Sequence, residues 1–128
     1  MNQDSSKKCI IVDDDYQFRH LLQTYFDKKT VDLPLDLSLI IERDGLRAWE
    51  YITRHAADVL LLHTDIIHSG IDGIELTRRI KKEYPHIKVV VCTGALDICT
   101  ECHDLADLVL EKPIDMQTYF ESIRKLIG

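Results

Sequence analysis

Acidic, hydroxyl and basic side chains stand at the ends of four apolar runs in this sequence. The run 9–12 precedes Asp13–Asp15, 58–62 comes shortly before Asp65, 87–92 precedes Thr93, and 108–110 shortly precedes Lys112. Neighbouring carboxylates raise each other's pKa unless a cation lies among them, and Mg²⁺ is a hard cation that prefers oxygen ligands. Lysine and threonine can bind phosphate oxygens, and a carboxylate can attack phosphorus to form an acyl phosphate. These residue types therefore suit phosphoryl transfer, which a metal, a hydroxyl and an ammonium assist by position.

Each of these features also has an ordinary structural explanation. The aspartates could cap a helix and interact with its dipole, Thr93 could be a strand-end hydroxyl, and Lys112 before Pro113 could lie in a solvated turn. Their joint occurrence at the same end of successive strands favours a functional site, because ligands of open α/β sheets bind outside the carboxyl ends of the strands.

The hydrophobic pattern predicts the elements that position these residues. Strands are expected at 9–12, 35–41, 58–62, 87–92 and 108–110. The first helix is expected to begin at Asp15, the second to follow the "RDG" turn, the third and fourth to span 73–84 and 96–105, and the fifth to begin at an N-cap near Asp115. Apolar runs of this kind fit strands that are covered on both faces. The alternation predicts an α/β fold, a doubly wound parallel sheet of five strands with helices on both faces.

The composition narrows the classes of protein. The 128 residues, with a net charge of −6, suit one domain over 1–128 without a nucleic-acid-binding surface. No apolar run is long enough for a membrane span, and the polar start is not a secretory signal, so the cytoplasm is the expected location. Residues 1–7 are expected to be frayed. The cysteines are expected to be reduced thiols; they are Cys9, Cys92, Cys99 and Cys102.

Four segments carry a resemblance to a known family. They read "CIIVDDD", "DIIHSGIDGIEL", "VVVCTG" and "LVLEKP", in this order and at the predicted strand ends. Over essentially its whole length the chain resembles the receiver domain of bacterial two-component response regulators. The resemblance implies the strand order 2-1-3-4-5, which brings strands one and three together at the switch point of the sheet.

The resemblance also implies roles for single residues. Asp13 and Asp14 correspond to the acid pair that holds Mg²⁺, with Asp14 as the direct ligand. Thr93 corresponds to the hydroxyl that moves onto the phosphoryl group, and Lys112 to the lysine that pairs with its oxygens. The bond between Lys112 and Pro113 is expected to be cis, as is usual in the family.

Receiver domains take a phosphoryl group from a histidine kinase, a phosphotransfer protein or a small phosphodonor onto one aspartate. The resemblance therefore implies those partners and no enzyme activity beyond the domain's own phosphoryl transfer and dephosphorylation. It also implies a population shift at the fourth helix, fifth strand and fifth helix, the face for an effector domain or a homodimer. Nucleic acid and membrane are not expected as partners of this domain.

The phosphoacceptor position is open between two residues. Counting back from "SGIDGIEL" gives Asp65, which would also be the third Mg²⁺ ligand, whereas counting forward from "GLRAWEYITRHAADVLLL" gives His63. Side chains alternate along a strand, so both would point the same way. We favour Asp65, because the acid pair, hydroxyl and lysine would be costly without phosphoryl chemistry. In that register His63 lies inside the strand and needs a partner. The alternative is a degenerate receiver that only binds a protein.

The sequence departs from the usual receiver pattern at two points, and two of its segments allow other functional interpretations. The stretch 93–112 is about one helical turn short, which predicts a shortened fourth helix, and Val109 stands where relatives often have an aromatic residue. The segment "IIVDDDYQ" also resembles haloacid dehalogenase-type phosphatases, with Asp13 as nucleophile, Asp15 as acid/base, and Thr93 and Lys112 in support. The segment "CTECH" has the C-x-x-C-H form of haem attachment, or could bind zinc, although core packing is the more common role of such cysteines.

Overall fold

The computed structural model describes residues 7–28, 37–66, 72–94 and 101–128. Its strands are β1 (Lys7–Val12), β2 (Leu37–Ile41), β3 (Val59–Thr64), β4 (Lys88–Thr93) and β5 (Leu108–Glu111). Its helices are α1 (Tyr16–Lys28), α2 (Gly45–His55), α3 (Gly73–Glu83), α4 (Cys102–Leu105) and α5 (Met116–Ile127), and a 3₁₀ turn at Ala56–Asp58 precedes β3.

All strand pairs are parallel, and the sheet has the order β2-β1-β3-β4-β5. The predicted fold and strand order are therefore confirmed. Alternate side chains enter two separate cores, as strand geometry requires. Ile10 and Leu62 pack with the residues of α2 and α3, whereas Ile11 and Leu61 face α1 and α5. None of the described helices combines the length and apolarity that crossing a bilayer needs.

Aspartate side chains begin four of the helices. Each accepts a hydrogen bond from a backbone N–H in the first turn of its helix; the residues are Asp15 for α1, Asp44 for α2, Asp72 for α3 and Asp115 for α5. Such caps satisfy backbone donors that have no partner within the helix. The predicted N-cap at Asp115 is confirmed.

Several boundaries differ from the sequence prediction. Lys7 begins β1 and pairs with Leu37, so the expected frayed start is wrong at this residue, and 1–6 lie outside the described part. β3 runs two residues beyond the apolar run, because His63 and Thr64 continue its pairing with β1. β4 includes Thr93 for the same reason, since it pairs with Glu111 of β5.

The region of the cysteine motif is described only in part. Of the predicted helix 96–105, only 101–105 is described, and it contains the single turn of α4; residues 95–100, including Cys99, lie outside the described residues. Cys102 is buried at 2% exposure, in line with core packing. It is disulfide-bonded, whereas Cys9 and Cys92 are free, so the expectation of reduced thiols is wrong at Cys102.

Candidate functional site

Asp13 follows the last residue of β1 and is buried, with 3% of its surface exposed. Its Oδ1 accepts hydrogen bonds from the backbone N–H of Asp15 at 2.9 Å and from Lys112 Nζ at 2.9 Å. Its Oδ2 lies 3.2 Å from Nε2 of His63. Both carboxylate oxygens of Asp13 therefore have partners within the protein.

His63 lies inside β3 and is completely buried. Its Nδ1 is 2.8 Å from the hydroxyl of Tyr119 on α5, and its Nε2 faces Asp13. The ring centroid is 5.5 Å from that of Phe18 on α1. His63 thus has the partner that its place in the strand requires, and both ring nitrogens are engaged.

Asp65 is the first residue after β3, and its backbone N–H donates to the carbonyl of Val12 at 3.0 Å. Its Oδ2 accepts from Lys112 Nζ at 3.1 Å, and its Oδ1 accepts from the backbone N–H of Ile66 at 2.7 Å. The side chain keeps 18% of its surface exposed, which contrasts with the completely buried His63. Of the two residues, only Asp65 stands at the carboxyl end of the strand with a carboxylate that solvent can reach.

Gly73 allows the start of α3 to approach the backbone of Asp65. Its N–H donates to the carbonyl of Ile66 at 2.8 Å. A Cβ atom at this position would lie 1.8 Å from the carbonyl oxygen of Asp65, a distance that no side chain can occupy. The absence of a side chain at Gly73 is thus one reason why Asp65 can hold its position.

Lys112 enters the site from the end of β5. Its backbone N–H donates to the carbonyl of Thr93 at 3.0 Å, which ties the ends of β4 and β5 together, and Thr93 is 2% exposed. The expected cis bond between Lys112 and Pro113 is present. The ammonium bridges Asp13 and Asp65 and lies 5.5 Å from the centre of the Phe18 ring.

The electrostatics of the site follow from these contacts. Burial alone would raise the pKa of Asp13, but hydrogen bonds from His63, Lys112 and the Asp15 N–H hold it below its usual value. Burial would likewise lower the pKa of Lys112, but Asp13 and Asp65 raise it. Burial raises the pKa of Tyr119 well above its usual value. The lysine is therefore a charged ammonium and Asp13 a carboxylate at neutral pH.

Asp14 differs from its neighbour because its side chain is exposed. Across the described ranges, no three His, Cys, Asp or Glu side chains already form a group that could hold a metal ion. The donor chemistry still suits Mg²⁺, since Asp13, Asp14 and Asp65 offer only carboxylate oxygens. The Lys112 ammonium already places one positive charge between Asp13 and Asp65.

The structure thus brings together Asp13, Asp65 and Lys112, and it joins Thr93 to Lys112 through the backbone. Sequence reasoning missed Tyr119 as a polar member of this cluster. It lies on the apolar stripe of α5, and nothing in that stripe distinguishes it from an ordinary core residue.

Comparison with known proteins agrees with this geometry. The family model of the response regulator receiver domain matches residues 9–124. The chain belongs to this family. The receiver domain is 31% identical over 125 residues to sporulation initiation phosphotransferase F of Bacillus subtilis strain 168, covering 95% of this chain and 94% of that relative.

Solved structures also resemble this receiver domain. The response regulator protein TrrA from Thermotoga maritima, in complex with Mg(2+)-BeF, superposes with a TM-score of 0.77 at 21% identity, over 94% of this chain and 98% of that one. A chain from the complex of histidine kinase ThkA with TrrA gives a TM-score of 0.77 at 21% identity, over 95% of this chain and 99% of that one. At this level of identity the likeness shows the fold.

Proposed function

We propose that this receiver domain accepts a phosphoryl group on Asp65. One observation carries the proposal: Asp65 directly follows β3 and has a partly exposed carboxylate that is paired with Lys112, which also holds Asp13. His63 does not suit the acceptor role, because it is completely buried and both of its ring nitrogens face other side chains.

Phosphoryl transfer requires little from the protein beyond the correct placement of its charged and hydroxyl groups. An oxygen of Asp65 attacks the phosphorus of the donor and forms the new O–P bond, while the bond from phosphorus to the leaving group breaks and its electron pair departs with that group. The Lys112 ammonium stays beside the phosphoryl oxygens and stabilises their negative charge. Thr93, at the end of β4, is the hydroxyl that we expect to contact the phosphoryl group after transfer.

Asp14 and Asp65 are the residues that would hold Mg²⁺, with Asp13 beside them. The ion would offset the charge of the carboxylates and of the incoming phosphoryl group. Asp14 is the better direct ligand of the acid pair, because its carboxylate is exposed, whereas His63, Lys112 and a backbone N–H already occupy the oxygens of Asp13.

A histidine kinase or a phosphotransfer protein is the expected donor in the cytoplasm. Two similar proteins support this: one is named a sporulation initiation phosphotransferase, and TrrA forms a complex with a histidine kinase. Phosphorylation is expected to shift the populations of α4, β5 and α5, the face for an effector domain or a second copy.

Two observations bear on the alternatives. His63 and Lys112 both engage the Asp13 carboxylate, which favours a second candidate, a degenerate receiver that only binds a protein partner. The phosphatase interpretation is disfavoured, because the side chain of a nucleophile at Asp13 would be completely buried, whereas that of Asp65 is 18% exposed.

Incubation with acetyl phosphate and Mg²⁺, followed by intact mass spectrometry, tests the proposal. We expect a phosphoryl adduct on the wild type and on the control Asp44→Asn, whose side chain caps α2, and none on Asp65→Asn. An adduct that persists in Asp65→Asn rejects Asp65 as the acceptor. No adduct on any variant, together with no Mg²⁺ binding, supports the degenerate receiver. Turnover of a phosphate ester that is lost in Asp13→Asn supports the phosphatase.

A further inference from the structure

The buried pair His63 and Tyr119 lies directly behind Asp13 and is not explained by phosphoryl transfer itself. We propose that His63 is a positioning residue: it holds the Asp13 carboxylate in place, and Asp13 in turn holds the Lys112 ammonium beside Asp65. This role rests on the proposed phosphoryl acceptance by Asp65. His63 touches no reacting atom, so its effect is transmitted through Asp13.

The directions of the hydrogen bonds follow from the chemistry of the partners. A carboxylate oxygen can only accept, so Nε2 of His63 carries the hydrogen that is donated to Oδ2 of Asp13. In this tautomer Nδ1 is an acceptor, and the Tyr119 hydroxyl donates to it at 2.8 Å. Tyr119 is 1% exposed, so water does not compete for this bond. Asp13 therefore fixes the tautomer of the imidazole ring, and the Tyr119 hydroxyl fixes its orientation.

The Asp13 carboxylate connects His63 and Tyr119 to the acceptor site. Lys112 Nζ is shared between Oδ1 of Asp13 at 2.9 Å and Oδ2 of Asp65 at 3.1 Å. Rotation of the Asp13 carboxylate about its Cβ–Cγ bond would move Oδ1 and carry the ammonium with it. His63, as the donor to the other oxygen, opposes this rotation.

Packing does not require a histidine at this position. The neighbours of His63 in the sheet are Ile11 on β1 and Val90 on β4, and both are fully buried. An aliphatic residue would fill such a place without burying two polar nitrogens. The polar ring is explained by the two groups that it joins, Asp13 and Tyr119.

Two substitutions separate positioning from packing. His63→Leu keeps an apolar side chain in the strand and removes the donor, whereas His63→Gln places an amide N–H near the position of Nε2. The first measurement is the backbone amide shift of Asp15, recorded without metal or phosphodonor, because this N–H donates to Oδ1 of Asp13. The amide of Arg47, which donates to Asp44 at the start of α2, is the control.

The second measurement is the rate of adduct formation with acetyl phosphate and Mg²⁺. We expect His63→Leu to move the Asp15 amide and to slow the reaction roughly tenfold, the lower range for losing a partner that orients a functional side chain. His63→Gln is expected to keep both quantities near the wild type, which a purely structural role does not predict. The Arg47 amide should be unchanged in both variants.

The outcomes are distinct. A wild-type rate in His63→Leu, with or without an altered Asp15 amide, overturns the positioning role while leaving Asp65 as acceptor. Equal losses in the Leu and Gln variants also overturn it, since they would reflect packing alone. If His63→Leu does not fold, Tyr119→Phe takes its place, and it must slow the reaction for the role to stand. No adduct on the wild type rejects the proposed function itself.

Discussion

Deleting the Tyr119 hydroxyl should destabilise the fold by an amount that the structure predicts. In Tyr119→Phe the ring remains, with its centroid 5.7 Å from that of Phe18 and 5.1 Å from that of Phe120, so little packing is lost. Nδ1 of His63 then stays buried without the donor at 2.8 Å. Leaving one buried polar group without its partner costs about 1–3 kcal/mol.

Urea denaturation followed by circular dichroism measures this loss. The midpoint should fall while the slope m is unchanged, and with m of about 2 kcal/mol/M a loss of 2 kcal/mol lowers the midpoint by about 1 M. The matched control is Tyr16→Phe, because the Tyr16 side chain is 70% exposed and its hydroxyl is available to water. The control should lie within about 0.5 kcal/mol of the wild type.

A double-mutant cycle then tests whether the cost comes from the bond to His63. In His63→Leu the hydroxyl has lost its acceptor, so adding Tyr119→Phe should cost less than it does in the wild type. The coupling should be about 0.5–3 kcal/mol, as for other side chains in direct contact. The reasoning fails if Tyr119→Phe matches the exposed control, or if the two substitutions are additive.

Three further outcomes can be measured on the same chain. Gly73→Ala should lose about 1–3 kcal/mol of unfolding free energy, because its Cβ would overlap the Asp65 carbonyl, whereas Gly94→Ala should be nearly neutral, since nothing lies within 4 Å of its Cβ. Because the pKa of Asp13 is lowered in the folded state, its carboxylate contributes stability that is complete above the unfolded-state pKa of about 4 and is lost as pH falls through the folded-state value. The free energy of unfolding of Asp13→Asn should therefore fall less steeply with decreasing pH than that of the wild type. Asp107→Ala should lower the thermal midpoint, because Oδ2 of Asp107 accepts hydrogen bonds from Lys81 Nζ and from the backbone N–H of Val89 in β4, each at 2.8 Å.

The fold was predictable because each of its elements carries a local signal. Apolar runs marked the strands, and Asp115 marked the start of α5. The boundaries at β3 and β4 were missed because His63, Thr64 and Thr93 are polar, and polarity normally ends a buried strand. Their pairing with the neighbouring strands continues regardless, since backbone hydrogen bonds do not depend on side-chain polarity.

The acids and the lysine of the candidate site were predictable, but the choice between His63 and Asp65 and the contribution of Tyr119 were not. His63 and Asp65 lie two positions apart, and a strand directs such residues to the same face, so side-chain alternation could not separate them. The difference lies in the partner of His63, and Tyr119 is 56 positions away in the chain on another element. A contact of that range has no local signature. The sequence showed that a buried histidine would need a partner but could not identify it.

The two neighbouring acids Asp13 and Asp14 illustrate the same limit. The resemblance assigned both to Mg²⁺, with Asp14 as the direct ligand, but it could not show which groups surround Asp13. Of the two, only Asp14 is exposed, while the oxygens of Asp13 accept from His63, Lys112 and a backbone N–H. A buried carboxylate is stable only when such donors surround it. Asp13 is therefore first a structural acceptor that joins β1 to β3 and β5, and any role near the metal must coexist with these bonds.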